Sequence, residues 1–225
     1  MGWPRLPPVT STTQKPPPAA RHTGVFVAFE GGDGAGKSTQ VHLLVAALER
    51  AGRDVLVTRQ PGGTELGARI RDLVLHGDHV SPRAEALLYA ADKAQHVETV
   101  VAPALAAGRV VVTDRYVDSS IAYQGAGRDL GADAVARIQD WAVGGVRPDL
   151  TILLDVSPED GRARRGETHD RLEAEGDAFH AAVRAHFLVL AAADPERYLV
   201  VDGALPPDQI HVRVLAWLRA AGVLP

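Results

Sequence analysis

Cysteine is absent from this 225-residue chain, which removes disulfides, thiolate metal sites and a cysteine nucleophile, so any activity must run on oxygen and nitrogen groups. Long apolar runs are missing too. Gly, Arg or Asp interrupts each run well before the roughly 20 residues of a membrane-spanning helix, and the N-terminus carries prolines where a secretory signal needs an apolar helix. Lysine is scarce: Lys15, Lys37 and Lys93 are the only three among 24 basic residues. Those 24 meet 28 acidic residues for a net charge of -4, which excludes a broad basic footprint for nucleic acid or membrane. What is left suits a soluble cytoplasmic protein, 46% hydrophobic, whose phosphate chemistry is local.

Residues 1–23 hold six of the 15 prolines and three basic residues without an acid, and they show neither helical nor alternating periodicity. Such a segment reads as a disordered, Pro-rich extension. From Gly24 to the end at 225, short Val- and Ile-rich runs alternate with amphipathic stretches in one domain. The runs Val25 to Phe29, Val55 to Thr58, Val110 to Thr113, Thr151 to Val156 and Tyr198 to Val201 predict five buried parallel strands. Between them, Val41, Leu44, Val45 and Leu48 recur at helical spacing, as do Phe179, Val183, Phe187 and Leu190, and then Ile210, Val214, Trp217 and Leu218. A longer helix is expected over 81–106, opened by Ser81-Pro82 as N-cap and first residue and bent in its last turn by Pro103. Trp141 and Trp217 fall on apolar helical faces and are expected in the core. The alternation predicts an α/β fold: a three-layer, doubly wound, five-stranded parallel sheet with helices on both faces and ligands beyond the carboxyl ends of the strands.

The chemistry-bearing residues do follow those ends. Gly31-Gly32-Asp33-Gly34-Ala35-Gly36-Lys37-Ser38-Thr39 fits G-x-x-x-x-G-K-[ST] between the first strand and a helix. Its glycines let backbone N–H groups curl round a phosphate, Lys37 can reach the β- and γ-phosphates, and Ser38 can hold Mg²⁺. No guanine-reading N-K-x-D accompanies it. The third run ends in Asp114-Arg115-Tyr116, giving an Asp that can orient Mg²⁺ through water beside an Arg that can grip a phosphate bidentately. Arg59 follows the second run. Two arginines and a lysine facing one P-loop suggest two phosphate groups held together.

In order along 24–222, the segments FEGGDGAGKSTQ, TRQPGGT, LLYAADKAQHV, DRYVDSSIAYQGAGR, RPDLTILLDV and DRLEAEGDAFH resemble the thymidylate kinases, in particular their bacterial form. The resemblance implies transfer of the γ-phosphoryl of Mg-ATP to dTMP, giving dTDP and ADP for dTTP synthesis, by a homodimer joined along the helix around 81–106. ATP would lie on Gly31, Gly34, Ala35, Gly36, Lys37, Ser38 and Thr39. A basic lid over 161–171 would close on it, with Arg162 and Arg165 on ATP and Arg164 on the transferred phosphoryl. Ala35 agrees with this, since the family carries a basic side chain either in the P-loop or in the lid. Asp33 would bind the acceptor's 3'-hydroxyl and Arg59 and Arg115 its 5'-phosphate. Tyr89 would stack on thymine, Ser120 and Gln124 would lie near the base, and Tyr123 would crowd C2'. Ser38 and Asp114 would serve the metal.

Three departures from the family pattern matter. Tyr89 and Lys93 stand where the family usually has Phe and Arg. Lysine cannot reproduce the planar pair of hydrogen bonds an arginine makes, yet its scarcity elsewhere favours a contact to a base carbonyl or phosphate for Lys93 over the alternative of a tolerated replacement. Gln60 replaces a usual Glu, an exchange read as removing a competitor for Arg59. Asp155, at the fourth strand end, reads as structural. Rival readings from the sequence are a kinase of another nucleoside monophosphate and a nucleotide-binding regulatory module without turnover.

Overall fold

The computed structural model describes residues 23–164 and 170–224. The expected extension over 1–23 therefore lies, apart from Thr23, outside the described residues, and so does Arg165. Five parallel strands form one sheet: β1 (Val25–Gly31), β2 (Val55–Arg59), β3 (Val110–Asp114), β4 (Leu150–Asp155) and β5 (Tyr198–Asp202), in the order β2-β3-β1-β4-β5. Each apolar run became a strand. Four of the five extend one or two residues past the run, and those additions are the polar strand ends.

Alternation along β1 divides the core. Val27 and Phe29 face one side with Val112, Ile152 and Leu154, and there they meet Val41, Leu44 and Leu48 of α1 (Lys37–Arg50) and Ile210, Val214 and Leu218 of α9 (Pro207–Ala220). Phe26 and Ala28 face the other side with Val111, against Val97, Val101, Leu105 and Tyr116. A third cluster under the site joins Ile70 and Val74 of α2 (Glu65–His76) and Tyr89 to Val183 and Phe187 of α8 (Asp177–Ala193). Burying each such aliphatic side chain is worth about 1.5–3 kcal/mol.

The helix expected over 81–106 is not continuous. It divides into α3 (Pro82–His96), a π-helical turn at Val97–Val101 and α4 (Ala102–Ala106). Pro103 has no N–H and its ring collides with the carbonyl one turn back; the wider turn comes before it, so the register changes earlier than a simple bend at Pro103 would place it. Ser81 and Pro82 do open α3. A second π-helical turn, Ile121–Gly127, continues α5 (Val117–Ser120) and leads to α6 (Ala132–Ala142). After β4 comes α7 (Pro158–Arg164).

Trp217 packs half-buried against the first cluster. Trp141 does not enter the core: it is 84% exposed on α6, because the inward face of that helix is taken by Val135 and Gln139. Asp155 is held by Arg184, whose Nε and Nη2 donate to its two oxygens at 2.6 and 2.9 Å.

Candidate active site

Sheet register assembles the site. Asp114 pairs with Phe29 of β1 on one side and with Arg59 of β2 on the other, so the ends of β1, β2 and β3 are level and the segments leaving them meet. A cleft of about 820 Å³ opens there, lined by residues 33–40, Arg59, Asp114, Arg115, Arg164 and the 203–207 loop.

The loop after β1 turns on left-handed glycines. Gly34 (φ 78°) also lies so close to the Gly161 carbonyl that a Cβ would collide with it, and Gly36 (φ 89°) caps α1, aiming the first N–H groups of that helix into the cleft. Lys37 Nζ rests on the carbonyls of Gly31 (3.1 Å) and Gly32 (2.8 Å). Burial, and then the neighbouring Arg115, push its pKa below the usual lysine value. Ser38 Oγ donates to Asp114 Oδ2 at 2.9 Å. Both are hard oxygen groups of the kind Mg²⁺ takes, so these two residues would hold such an ion beside the loop.

Arg115 is held by four hydrogen bonds. Its φ of 68° is unusual for a long side chain. Nη1 donates to Gly31 O (3.1 Å) and Ser119 Oγ (3.0 Å), and Nη2 donates to Asp33 and to the Tyr123 hydroxyl (3.2 Å). Tyr123 in turn donates to Asp33 Oδ2 at 2.7 Å. Behind them Glu30, fully buried on β1, accepts from Tyr116 N (2.8 Å), Ser119 N (3.2 Å) and Ser119 Oγ (2.5 Å). Burial and then Asp118 raise its pKa to about 7. Glu30 thus holds the turn that carries Arg115.

A second cavity continues from Asp33 and Arg115 to Tyr89, Lys93, Ser120, Tyr123 and Gln124. All the residues expected at an acceptor therefore line it except Arg59, which is exposed and lines the first cleft. Lys93 Nζ donates to Ser120 Oγ at 2.8 Å and sits 5.4 Å from the Tyr89 ring centre. Desolvation lowers its pKa to about 8, against the opposing pull of Asp92.

The sequence reading missed Arg71 of α2, which lines both cavities with Nη1 3.2 Å from Pro61 O. Its position two turns into a helix that Thr64 caps through Gly67 N–H (2.9 Å) was the available signal. The Gln60 amide faces the interior: Nε2 lies 2.6 Å from His96 Nδ1, and His96 Nε2 lies 2.7 Å from Thr58 Oγ1. Gln60 and Thr58 thus bracket the two ring nitrogens of His96. Burial and nearby Lys93 lower the His96 pKa to about 4, which keeps this interior pair neutral.

Among the basic residues of 161–171, Arg164 Nη1 donates to Gly203 O at 2.6 Å on the rim of the first cleft, and Arg162 pairs with Asp177. Arg171 reaches inward to Glu85 and to Val74 O (2.9 Å).

Comparison with known proteins agrees with this architecture. The family model described as Thymidylate kinase matches residues 29–214. The thymidylate kinase of Cutibacterium acnes is 60% identical over 203 residues, covering 89% of this chain and 98% of that protein. That of Clavibacter michiganensis subsp. michiganensis is 57% identical over 196 residues, covering 85% and 93%. The crystal structure of thymidylate kinase from Ehrlichia chaffeensis superposes with a TM-score of 0.74 at 30% identity, covering 87% of this chain and 98% of that one.

Proposed function

The chain belongs to the thymidylate kinase family, and on that premise we propose how its own residues carry the reaction. It is a kinase that transfers the γ-phosphoryl group of ATP to dTMP, giving dTDP and ADP. The residue assignment is carried by one observation: Lys37, Arg59, Asp114 and Arg115 meet at one sheet edge, and the cavity that continues from Arg115 ends in Tyr89, Lys93, Ser120 and Gln124.

The donor triphosphate lies on the loop 31–39, with the Gly34, Ala35, Gly36 and Thr39 backbone and Lys37 around its phosphates. Arg162 and Arg164 cover it from the lid, and the bond from Arg164 to Gly203 O supports a place over the donor at the rim of the cleft. The acceptor phosphate lies between Arg59 and Arg115, with Arg71 beside them. Asp33 takes the 3'-hydroxyl, Tyr89 stacks on the base, and Tyr123, fixed between Asp33 and Arg115, fills the space a 2'-hydroxyl would need.

No general base is required. The attacking acceptor oxygen is already anionic; it forms a bond to the γ-phosphorus as the bond to the bridging oxygen of ADP breaks. The protein must align two polyanions, offset their repulsion and keep water out. Lys37, Arg59 and Arg115 supply that positive charge from fixed positions. Mg²⁺, held by Ser38 and Asp114 together with the donor phosphates, would neutralise charge on the β- and γ-oxygens.

We place the kinase domain at 24–225, with 1–23 as an extension, and the activity in cytoplasmic dTTP synthesis. A homodimer through α3 and α6 is part of the proposal. Its support is an apolar face of Leu87, Ala91, Ala94, Ile138 and Trp141, on which Leu87 is 58% and Trp141 84% exposed. The assignment of the P-loop is tested with Lys37→Ala, for which dTMP-dependent ADP formation should fall about 10³-fold with an unchanged circular dichroism spectrum. Near-normal turnover would remove it.

A further inference from the structure

We infer that Glu85 is a positioning residue that fixes the Gln124 amide with its oxygen toward the acceptor base, and that this orientation selects thymine over cytosine. The inference rests on the reading above in which the cavity of Tyr89, Lys93 and Gln124 receives the base.

Glu85 lies on α3 with no solvent exposure. Its Oε1 accepts from Gln124 Nε2 at 2.9 Å and from Arg128 Nε at 3.3 Å, and its Oε2 accepts from Arg128 Nη2 at 3.4 Å and from Arg171 Nη2. With arginine N–H groups donating to both oxygens, each acts here as an acceptor. A primary amide can face such a carboxylate only through its NH₂ group. The orientation of Gln124 is therefore dictated by chemistry and does not depend on telling oxygen from nitrogen.

The consequence is at the other end of the amide. Gln124 is buried and lines the acceptor cavity, and among the described residues its Oε1 makes no hydrogen bond. Beside it Lys93, a donor only, gives one hydrogen bond to Ser120 Oγ and retains others. The end of the cavity thus presents a donor from Lys93 and an acceptor from Gln124. Thymine offers the complement on adjacent atoms, a C4 carbonyl and an N3–H. Cytosine offers an amino group at C4 and a lone pair at N3, which opposes both contacts. A site built to hydrogen-bond one pattern rejects the other strongly, because mismatched buried polar groups stay unpaired.

Without Glu85 the amide is free to turn over and present NH₂ to N3 of cytosine. Arg128 and Arg171 also lose a partner, so a loss of activity alone would not distinguish orientation from support of the fold. The discriminating quantity is the ratio of kcat/KM for dTMP to that for dCMP. For Glu85→Gln this ratio should fall at least about tenfold. For Arg128→Gln, which leaves the pairing of Glu85 with Gln124 in place, it should stay as in the unaltered protein. A Glu85→Gln variant that loses activity equally on both acceptors overturns the inference. A second test needs no variant: N3-methyl-dTMP, which cannot donate to Gln124 Oε1, should be a poor acceptor for the unaltered enzyme, and use equal to dTMP would equally overturn it. Turnover of dTMP itself by the unaltered protein is measured first, and its absence would count against the parent reading of the acceptor.

Discussion

Ser38 and Asp114, one opening α1 and the other closing β3, share a 2.9 Å hydrogen bond across the mouth of the donor cleft. That single contact ties the P-loop to the neighbouring strand end at the point where a divalent ion on the donor phosphates would sit. Replacing Asp114 by Asn keeps the shape but removes the charge. The expected result is a Mg²⁺ requirement shifted at least about tenfold upward in concentration, read from ADP formation against free Mg²⁺. An unchanged Mg²⁺ dependence would show that Asp114 has no part in holding the ion.

Lys93 is expected to make acceptor binding pH-dependent. Its pKa of about 8, lowered chiefly by burial, means that the ammonium is lost on going from about pH 7 to about pH 9. Contact with a base carbonyl favours the charged form, so KM for dTMP should stay flat below about pH 8 and rise above it, with a limiting slope of about tenfold per unit. Lys93→Arg, whose guanidinium does not titrate in this range, should abolish the rise. A KM that climbs equally in both proteins would assign the effect to another group.

Glu30 is expected to matter for stability more than for contact with substrate. Replacing it with Ala leaves the buried N–H groups of Tyr116 and Ser119 without their acceptor. The expected loss is about 1–3 kcal/mol, measured by urea denaturation, together with weaker dTMP binding as the Arg115 turn loosens. An unchanged midpoint would mean that water replaces the carboxylate.

The exposed apolar face of α3 and α6 provides another expected outcome. Leu87→Glu should convert the protein to a monomer in sedimentation velocity, while a Val212→Glu change at a comparably exposed apolar position on α9 should leave its mass unaltered. Equal sedimentation of both variants as dimers would move the interface elsewhere.

Much of the framework was legible in the residues. Five apolar runs gave five strands, because a strand buried on both faces must be apolar throughout; the P-loop could be placed because a strand precedes it and a helix follows. Three kinds of feature were not legible. Both π-helical turns depend on how a helix packs, and no residue type announces them. Trp141 lies on an apolar stripe, but the stripe of α6 points outward, and periodicity alone does not say which stripe meets the sheet. The buried polar groups were the third. Glu85, Glu30 and His96 read as ordinary charged or polar positions on a helix and a strand, and only the fold shows that their partners are Gln124, Ser119 and Gln60. Gln60 is the instructive case. Sequence adjacency suggested only an effect on Arg59, whereas its partner His96 stands 36 residues away, because successive residues leaving a strand point to opposite sides.

The most direct test is ADP formation from Mg-ATP by the purified full-length chain, with dTMP, dUMP, dCMP, dGMP and UMP compared as acceptors at equal concentration. The expected result is turnover that depends on the acceptor and is fastest with dTMP, weak with dCMP if Lys93 and Gln124 read the base as proposed, and weak with UMP if Tyr123 crowds C2' as proposed. ADP formed at the same rate with no acceptor present, or a preference for dGMP or dCMP, would contradict it.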